Sequence, residues 1–360
     1  MTQLTFGSAT LGSRSQNTAA LRLVPLTTLV PWFLTTLLLL VHLAAPGIIE
    51  TYALYPLLLG IILLGLPHGA LDHLVPARLG LAWGRRPLGL ALYLLAYVGI
   101  AALYFALWVW QPLIAFVGFL LATVWHWGQG DMRYLEIFLG RDRPSQWGAG
   151  VTLLLRGALP MAVPVLAFPD TAESLYYHAA RGLGAQATGL NLSHPGIVYP
   201  LVGFLGVLFV LYLVNAVRAA PNRAVLLIDG LELLLLVALF SLIPAYMAIG
   251  AYFIFWHSLR HLARLLLLRP KDEARLANGE WAKPLRRLTL DLLPITVAAI
   301  GLLIGVYFFN AARITSLEGF VALYLVLISA LTKPHLLVVA MMDLVPSGYE
   351  DRAPQASSRT

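Results

Sequence analysis

The chain has 360 residues, of which 59% are hydrophobic and only 11% charged, and its mean hydropathy is +0.80. Soluble domains carry about 25% charged residues, so this chain cannot clothe a water-facing surface and reads as an all-α, polytopic transmembrane helical bundle. It has no cysteine, which excludes disulfides, thiolate metal sites and cysteine nucleophiles. The net charge of +7 sits in short loops as a topology signal, so no nucleic-acid partner is expected.

Residues 1–22 are polar and rich in Ser, Thr and Gly, and are expected to form a disordered or surface-lying tail. The first apolar run, about 23 to 45, exceeds the roughly 7–15 residues of a signal-peptide core and reads as a retained span. Stretches long enough to cross a bilayer, about 20 residues each, then follow near 51–72, 88–110, 112–130, 146–167, 196–215, 224–243, 245–265, 289–310 and 318–344. That makes about ten spans, or eight to nine if the joins at Gln111 and Pro244 are kinks. Residues 23–346 form one transmembrane domain, and 347–360 a second polar tail. No internal repeat of the kind found in transporters is visible.

In the ten-span arrangement, 19 of the 24 Lys and Arg residues fall on one side and only Arg181 and Arg313 on the other. Arg156, Arg260 and Lys333 lie within spans. The positive-inside rule then places both termini in the cytoplasm of a cell (inner) membrane protein. His68, His126, His257, His261 and His335 all lie on even-numbered spans. At about 1.5 Å per residue they sit roughly 18–26 Å from the outer surface, in one slab where a single metal could collect them. Ionisable side chains are expensive in lipid, so such a convergence points to a site.

His257 and His261 are four residues apart, which puts both imidazoles on one helix face as cis ligands. Arg260, between them, requires a buried anion or a path to the interface. In Pro67-His68-Gly69-Ala70-Leu71-Asp72-His73, His68 and Asp72 share the same spacing, and Asp72 could orient a ligand by accepting its second ring N–H. His73 is rotated about 140° from His68 on an ideal helix and suits an interfacial hydrogen bond better than the same metal. His126, between Trp125 and Trp127, matches the others in depth. His335, after Pro334, is either a fifth ligand or a supporting residue beside Lys333. His42, His178 and His194 read as polar histidines of the far face. Asp229 and Glu232 could pair with Arg260. Tyr97, Tyr104, Tyr252, Phe253 and Phe255 could line a pocket for a long apolar substrate.

Taken in order, Gly65-Leu66-Pro67-His68-Gly69-Ala70-Leu71-Asp72, His126-Trp127-Gly128, Tyr252 to His261 and Thr332-Lys333-Pro334-His335 resemble the motifs of the bacteriorhodopsin-related-protein-like (Brp/Blh) family of membrane β-carotene 15,15′-dioxygenases. The resemblance spans about residues 50–345. Lys333 stands where a small or apolar residue is expected. The resemblance implies cleavage of the central double bond of β-carotene by O₂ to two retinal molecules. It also implies non-haem Fe(II), carried over onto His68, His126, His257 and His261, and a retinal-binding rhodopsin as a product acceptor. Neutral imidazoles suit Fe(II) and leave positions open for O₂.

Two rival readings differ in class. A di-iron desaturase or hydroxylase would need about eight histidines in H-x-x-x-H and H-x-x-H-H boxes, and the second box is absent. A transporter or retinal-protein assembly factor would use the histidines for protons or substrate. Bound iron discriminates between these readings.

Overall fold

The computed structural model describes residues 11–60, 62, 65–141 and 145–344, and the side chains of these apart from 11–17, 66 and 68. Among the described residues every regular element is helical. Eight helices are long and apolar enough to cross a membrane: Thr18–Ala44, Pro87–Trp110, Pro112–Leu139, Gln146–Ala167, Pro195–Ala219, Arg223–Leu242, Ala282–Arg313 and Leu317–Leu344. The other two expected spans are irregular. One breaks into Pro46–Thr51, Leu54–Gly60, Leu66–Ala70, Asp72–Leu74 and Val75–Arg78. The other runs from Ala245–Tyr252 through a π-helical segment, Phe253–Ser258, into Leu259–Leu267. Both carry histidine motifs. Irregular backbone survives at membrane depth where it is enclosed by protein or lines a cavity.

Local chemistry sets the ends of the regular helices. Pro87, Pro112 and Pro195 open theirs, where the missing N–H costs nothing and φ is preset. The Ser145 and Asn222 side chains accept from the amides of Gly148 and Val225, capping the helices that follow. Pro112–Leu139 ends at Gly140 in the left-handed region, φ 64°, and the Arg141 amide closes back on the Leu135 carbonyl at 3.0 Å.

Two helices cross at glycine. A Cβ on Gly128 would collide with the Leu153 carbonyl, and one on Gly157 with the Val124 carbonyl. Without side chains there, Pro112–Leu139 and Gln146–Ala167 lie backbone to backbone, the close approach that small residues permit between membrane helices. Gly250 plays the same part between the two irregular spans, against the backbone of Pro56 and Leu57. Outside, Leu88, Leu95, Leu103 and Phe309 are largely exposed, as helices facing lipid require. The chain is a membrane protein.

Several boundaries differ from those expected. Residues 11–22, read as tail, are helical, and Ala19, Ala20 and Leu23 pack against Tyr134, Phe138 and Ala263. The apolar spacing of those three residues gives the segment a face to bury that its polar composition conceals. Residues 1–10 and 345–360, which include the C-terminal tail, lie outside the described residues. The span expected at 112–130 continues to Leu139. Two charges assigned to cytoplasmic loops turn inward: Arg141 donates to Asp229 at 3.2 Å, and Arg264 to Asp343.

Candidate metal centre

Four imidazoles form a closed circuit. The ring centroids of His126 and His257 are 4.7 Å apart, those of His126 and His335 also 4.7 Å, those of His335 and His261 5.2 Å, and those of His261 and His257 6.4 Å. All four side chains are buried, and they come from three different spans. His257 lies within the π-helical segment and His261 in the α-helix after it. Such a wide turn inside an α-helix frequently marks a functional site, and its effect on ring direction is invisible in a four-residue spacing.

The His335 ring is fixed from behind. Its Nδ1 lies 3.0 Å and 2.8 Å from the two carboxylate oxygens of Asp72. An ionised carboxylate only accepts, so Nδ1 carries the proton and Nε2 is the basic nitrogen. Asp72 accepts a second hydrogen bond from the Tyr97 hydroxyl at 2.9 Å, and its backbone carbonyl accepts from Tyr93 at 3.0 Å. His73 is not part of the circuit: its Nδ1 lies 2.8 Å from the Ala70 carbonyl, although the residue lines the same cavity as His126 and His335.

The His68 side chain lies outside the described residues. Its backbone belongs to Leu66–Ala70, and a Cβ on the neighbouring Gly69 would stand 3.7 Å from His335 Nδ1. The turn that bears His68 therefore abuts the circuit. His194 serves as a helix cap, accepting from Gly196. Lys333 donates to the Gly118 carbonyl at 2.7 Å and sits 4.1 Å from the Tyr104 ring centroid, which accounts for an ammonium at an apolar position.

The donor set can be tested against a metal. With metal–nitrogen bonds of about 2.1 Å, imidazole centroids sharing one ion stand roughly 4.5 Å apart at right angles and roughly 6.4 Å apart when opposite. The four observed separations, 4.7–6.4 Å, fall in that window. The 6.4 Å between His257 and His261 is the opposite placement and not the cis one expected from their spacing, since the π-helical segment intervenes. Among the described residues, however, no three His, Asp or Glu side chains form a ready metal-holding group. The rings are gathered at ligation distance without being closed on a common point. An all-imidazole set braced by a carboxylate fits a divalent transition metal.

Behind the circuit lies a buried charge cluster. Arg260 pairs with Asp131 at 3.0 Å and with Glu232, and its guanidinium stacks 3.8 Å over Tyr134 and 4.8 Å from Trp256. Arg156 bridges Glu232 at 3.1 Å, Asp131 at 3.6 Å and Asp229, and Arg141 completes the group at Asp229. Three guanidinium groups meet three carboxylates, so the cluster is neutral. The anion that Arg260 required includes Glu232, as expected. Asp131 was missed, although it follows His126 by five residues on one helix. Ending that span at residue 130 hid the one sign it gave, an ionisable residue inside an apolar helix.

Two cavities flank the imidazoles. The larger, about 640 Å³, reaches His126, His335, Asp72 and Tyr97 and is otherwise almost wholly apolar. The smaller, about 100 Å³, lies on the other side of Phe119, Trp127, Phe253 and Ile328, which border both.

The sequence profile of the family described as "Beta-carotene 15,15'-dioxygenase" matches residues 59–343. A Halobacterium salinarum protein named "Probable beta-carotene 15,15'-dioxygenase Blh" is 34% identical over 303 residues, 81% of this chain and 84% of its own length. Another from that organism, named "Probable beta-carotene 15,15'-dioxygenase Brp", is 29% identical over 319 residues, 79% of this chain and 82% of its own. No solved structure matches the chain significantly.

Proposed function

The chain belongs to the β-carotene 15,15′-dioxygenase family, and from that premise we propose that it cleaves the central double bond of β-carotene with O₂ to give two molecules of retinal. Each carbon of the broken bond takes one oxygen atom, so the reaction balances without a further reductant. The observation that carries the reading is the circuit of four buried imidazoles, of which His126 and His335 line an apolar cavity of about 640 Å³, within the roughly 300–1,000 Å³ usual for ligand sites.

His126, His257, His261 and His335 would hold one Fe(II), with His68 as a further donor on the adjoining turn. When bound, the iron supplies the redox chemistry that lets O₂ react with a hydrocarbon. Asp72 holds the His335 ring in the tautomer that presents Nε2, and Tyr97 holds Asp72. The apolar cavity excludes water from the polyene. The aromatic wall of Phe119, Trp127 and Phe253 stands beside the imidazoles, where it limits how far the chain can slide and so which double bond is presented. No side chain is needed as a proton donor or acceptor.

The protein works in the cell membrane with both termini in the cytoplasm, a reading supported by the charge split between its loops. Retinal, like its precursor, partitions into lipid, and it passes to a retinal-binding membrane protein such as a rhodopsin. Expression in a bacterium that accumulates β-carotene tests the reaction: colour should fade as retinal forms. A strain that expresses the protein and keeps its carotene would refute it.

A further inference from the structure

We infer that the larger cavity opens sideways into lipid between the helices Pro87–Trp110 and Ala282–Asn310, and that this slot admits the polyene substrate. The inference rests on the reading of the chain as a carotenoid-cleaving oxygenase. It adds the route by which the substrate arrives.

Three observations carry it. First, each of the two helices turns one face to the cavity, with Val98, Ala101 and Ala102 on one side and Ile295, Ala298 and Leu302 on the other. Ile295, Ala298 and Leu302 are spaced by three, four and seven residues, and Val98 lies three and four residues before Ala101 and Ala102, so each set marks a single helical face. Second, the two helices make almost no contact with each other: Pro87–Trp110 packs on Leu317–Leu344 and Pro112–Leu139, and Ala282–Asn310 on Leu66–Ala70. Third, lining residues on both helices are left partly uncovered by protein, with exposures of 62% for Val98, 49% for Leu302 and 41% for Ile295. Uncovered apolar lining on two helices that do not pack together fits an opening between them.

The chemistry of the slot agrees with a hydrocarbon. Its lips are aliphatic, and alanines at 101, 102 and 298 keep them thin. Both sets of lip residues fall near the middle of their helices, at the depth of the bilayer core. The polar lining residues, Asp72, His73, Tyr93, Tyr97, Thr123, His126, Thr332 and His335, lie apart from the lips. A polyene dissolved in the bilayer reaches the imidazoles by this path without exposing apolar surface to water, at about 25 cal/mol per Å².

The test narrows and widens the slot in the full-length protein reconstituted in phospholipid vesicles containing β-carotene. Two readouts are taken: retinal formation by the iron-loaded protein, and uptake of β-carotene by the iron-free protein, followed by the change in the carotenoid absorption band. Ala101→Trp and Ala298→Trp should lower kcat/KM by about tenfold, a rise of about 1.4 kcal/mol in the barrier, mainly through KM, and should slow uptake with iron content unchanged. Leu95→Trp, on the same helix but outside the cavity lining, should match the parent. Leu302→Ala, which trims a lip, should speed uptake, an effect that misfolding does not produce. Parent-like kinetics in both lip variants, or equal damage from Leu95→Trp, overturns the slot while the cleavage reading stands. If the parent takes up β-carotene through the slot but forms no retinal, the cleavage reading fails and the slot stands. If the parent neither takes up nor cleaves β-carotene, both fall.

Discussion

Asp72 Oδ2 lies 2.8 Å from Nδ1 of His335, across 263 residues of chain. The contact joins the first histidine motif to the last, and it places a carboxylate behind an imidazole that faces two others, His126 and His261. A ligating histidine typically donates its second N–H to such a partner, which fixes its tautomer and raises its basicity.

This arrangement makes Asp72→Asn informative, because the amide keeps the shape but removes the charge that stabilises Nδ1–H. Retinal formation should fall by roughly 10–100-fold, with iron held more weakly. Tyr97→Phe removes one hydrogen bond to the same carboxylate, worth about 0.5–1.5 kcal/mol, and should show the same defect in milder form. Iron content and activity, measured together, check both. An Asp72→Asn enzyme with parental activity would show that the pair does not position the ring.

Removing any one imidazole of the circuit leaves a metal with a wrong open position. His126→Ala, His257→Ala, His261→Ala and His335→Ala should each abolish retinal formation and weaken retention of the one iron per chain proposed above. His68→Ala tests the donor on the adjoining turn by the same two measurements. His73→Ala should keep its iron, since its ring bonds the Ala70 carbonyl, and His42→Ala should be nearly silent. Two irons per chain, or stoichiometric zinc that supports turnover, would rule out a mononuclear iron centre.

Much of this was legible in the chain because lipid imposes a simple rule. A helix in hydrocarbon must be long and apolar, so Pro87–Trp110 and Leu317–Leu344 were visible as runs of composition. What composition could not show is where helices meet. His335 joined His126 only when Leu317–Leu344 packed beside Pro112–Leu139, a contact between positions 209 residues apart. The π-helical turn at Phe253–Ser258 is held by tertiary packing and leaves no periodicity to read. Asp131 looked like a loop charge because the expected span ended at residue 130, and Arg141 because it lies just past the end of Pro112–Leu139. Burial beside Arg156 and Asp229 makes them part of the interior.

The charge split predicts that both termini share the cytoplasmic side. Reporter fusions at the two tails should agree. Opposite sides would mean an odd number of crossings, and one of the two irregular spans would then re-enter without crossing.

The buried ion cluster yields a prediction about stability. Arg156→Leu leaves Asp229 and Glu232 without their shared partner in a site closed to water, and breaking such a pair from one side costs about 3–5 kcal/mol. The double variant Arg156→Leu with Asp229→Leu restores neutrality and fills the space with apolar atoms. It should recover much of the loss, since removing both charges is often neutral. Thermal unfolding in detergent compares the parent, Arg156→Leu, Asp229→Leu and the double variant. A double variant as unstable as the sum of its singles would show no energetic coupling between the two charges.

The glycine crossing ties the fold directly to the imidazoles, because Gly128 follows His126 by two residues on the same helix. Gly157→Ala pushes a methyl group into the Val124 carbonyl, backbone that cannot rotate aside. Overpacking of this kind costs about 1–3 kcal/mol, and it moves the helix bearing His126 away from Gln146–Ala167, towards the cavity. Retinal formation should therefore fall more steeply than stability, with His126 carried out of reach of His257 and His335. Gly206→Ala is the control: it lies on another apolar helix, Pro195–Ala219, and nothing stands within 4 Å of its added methyl. If Gly157→Ala and Gly206→Ala retain equal activity and equal thermal stability, the crossing does not set the position of His126.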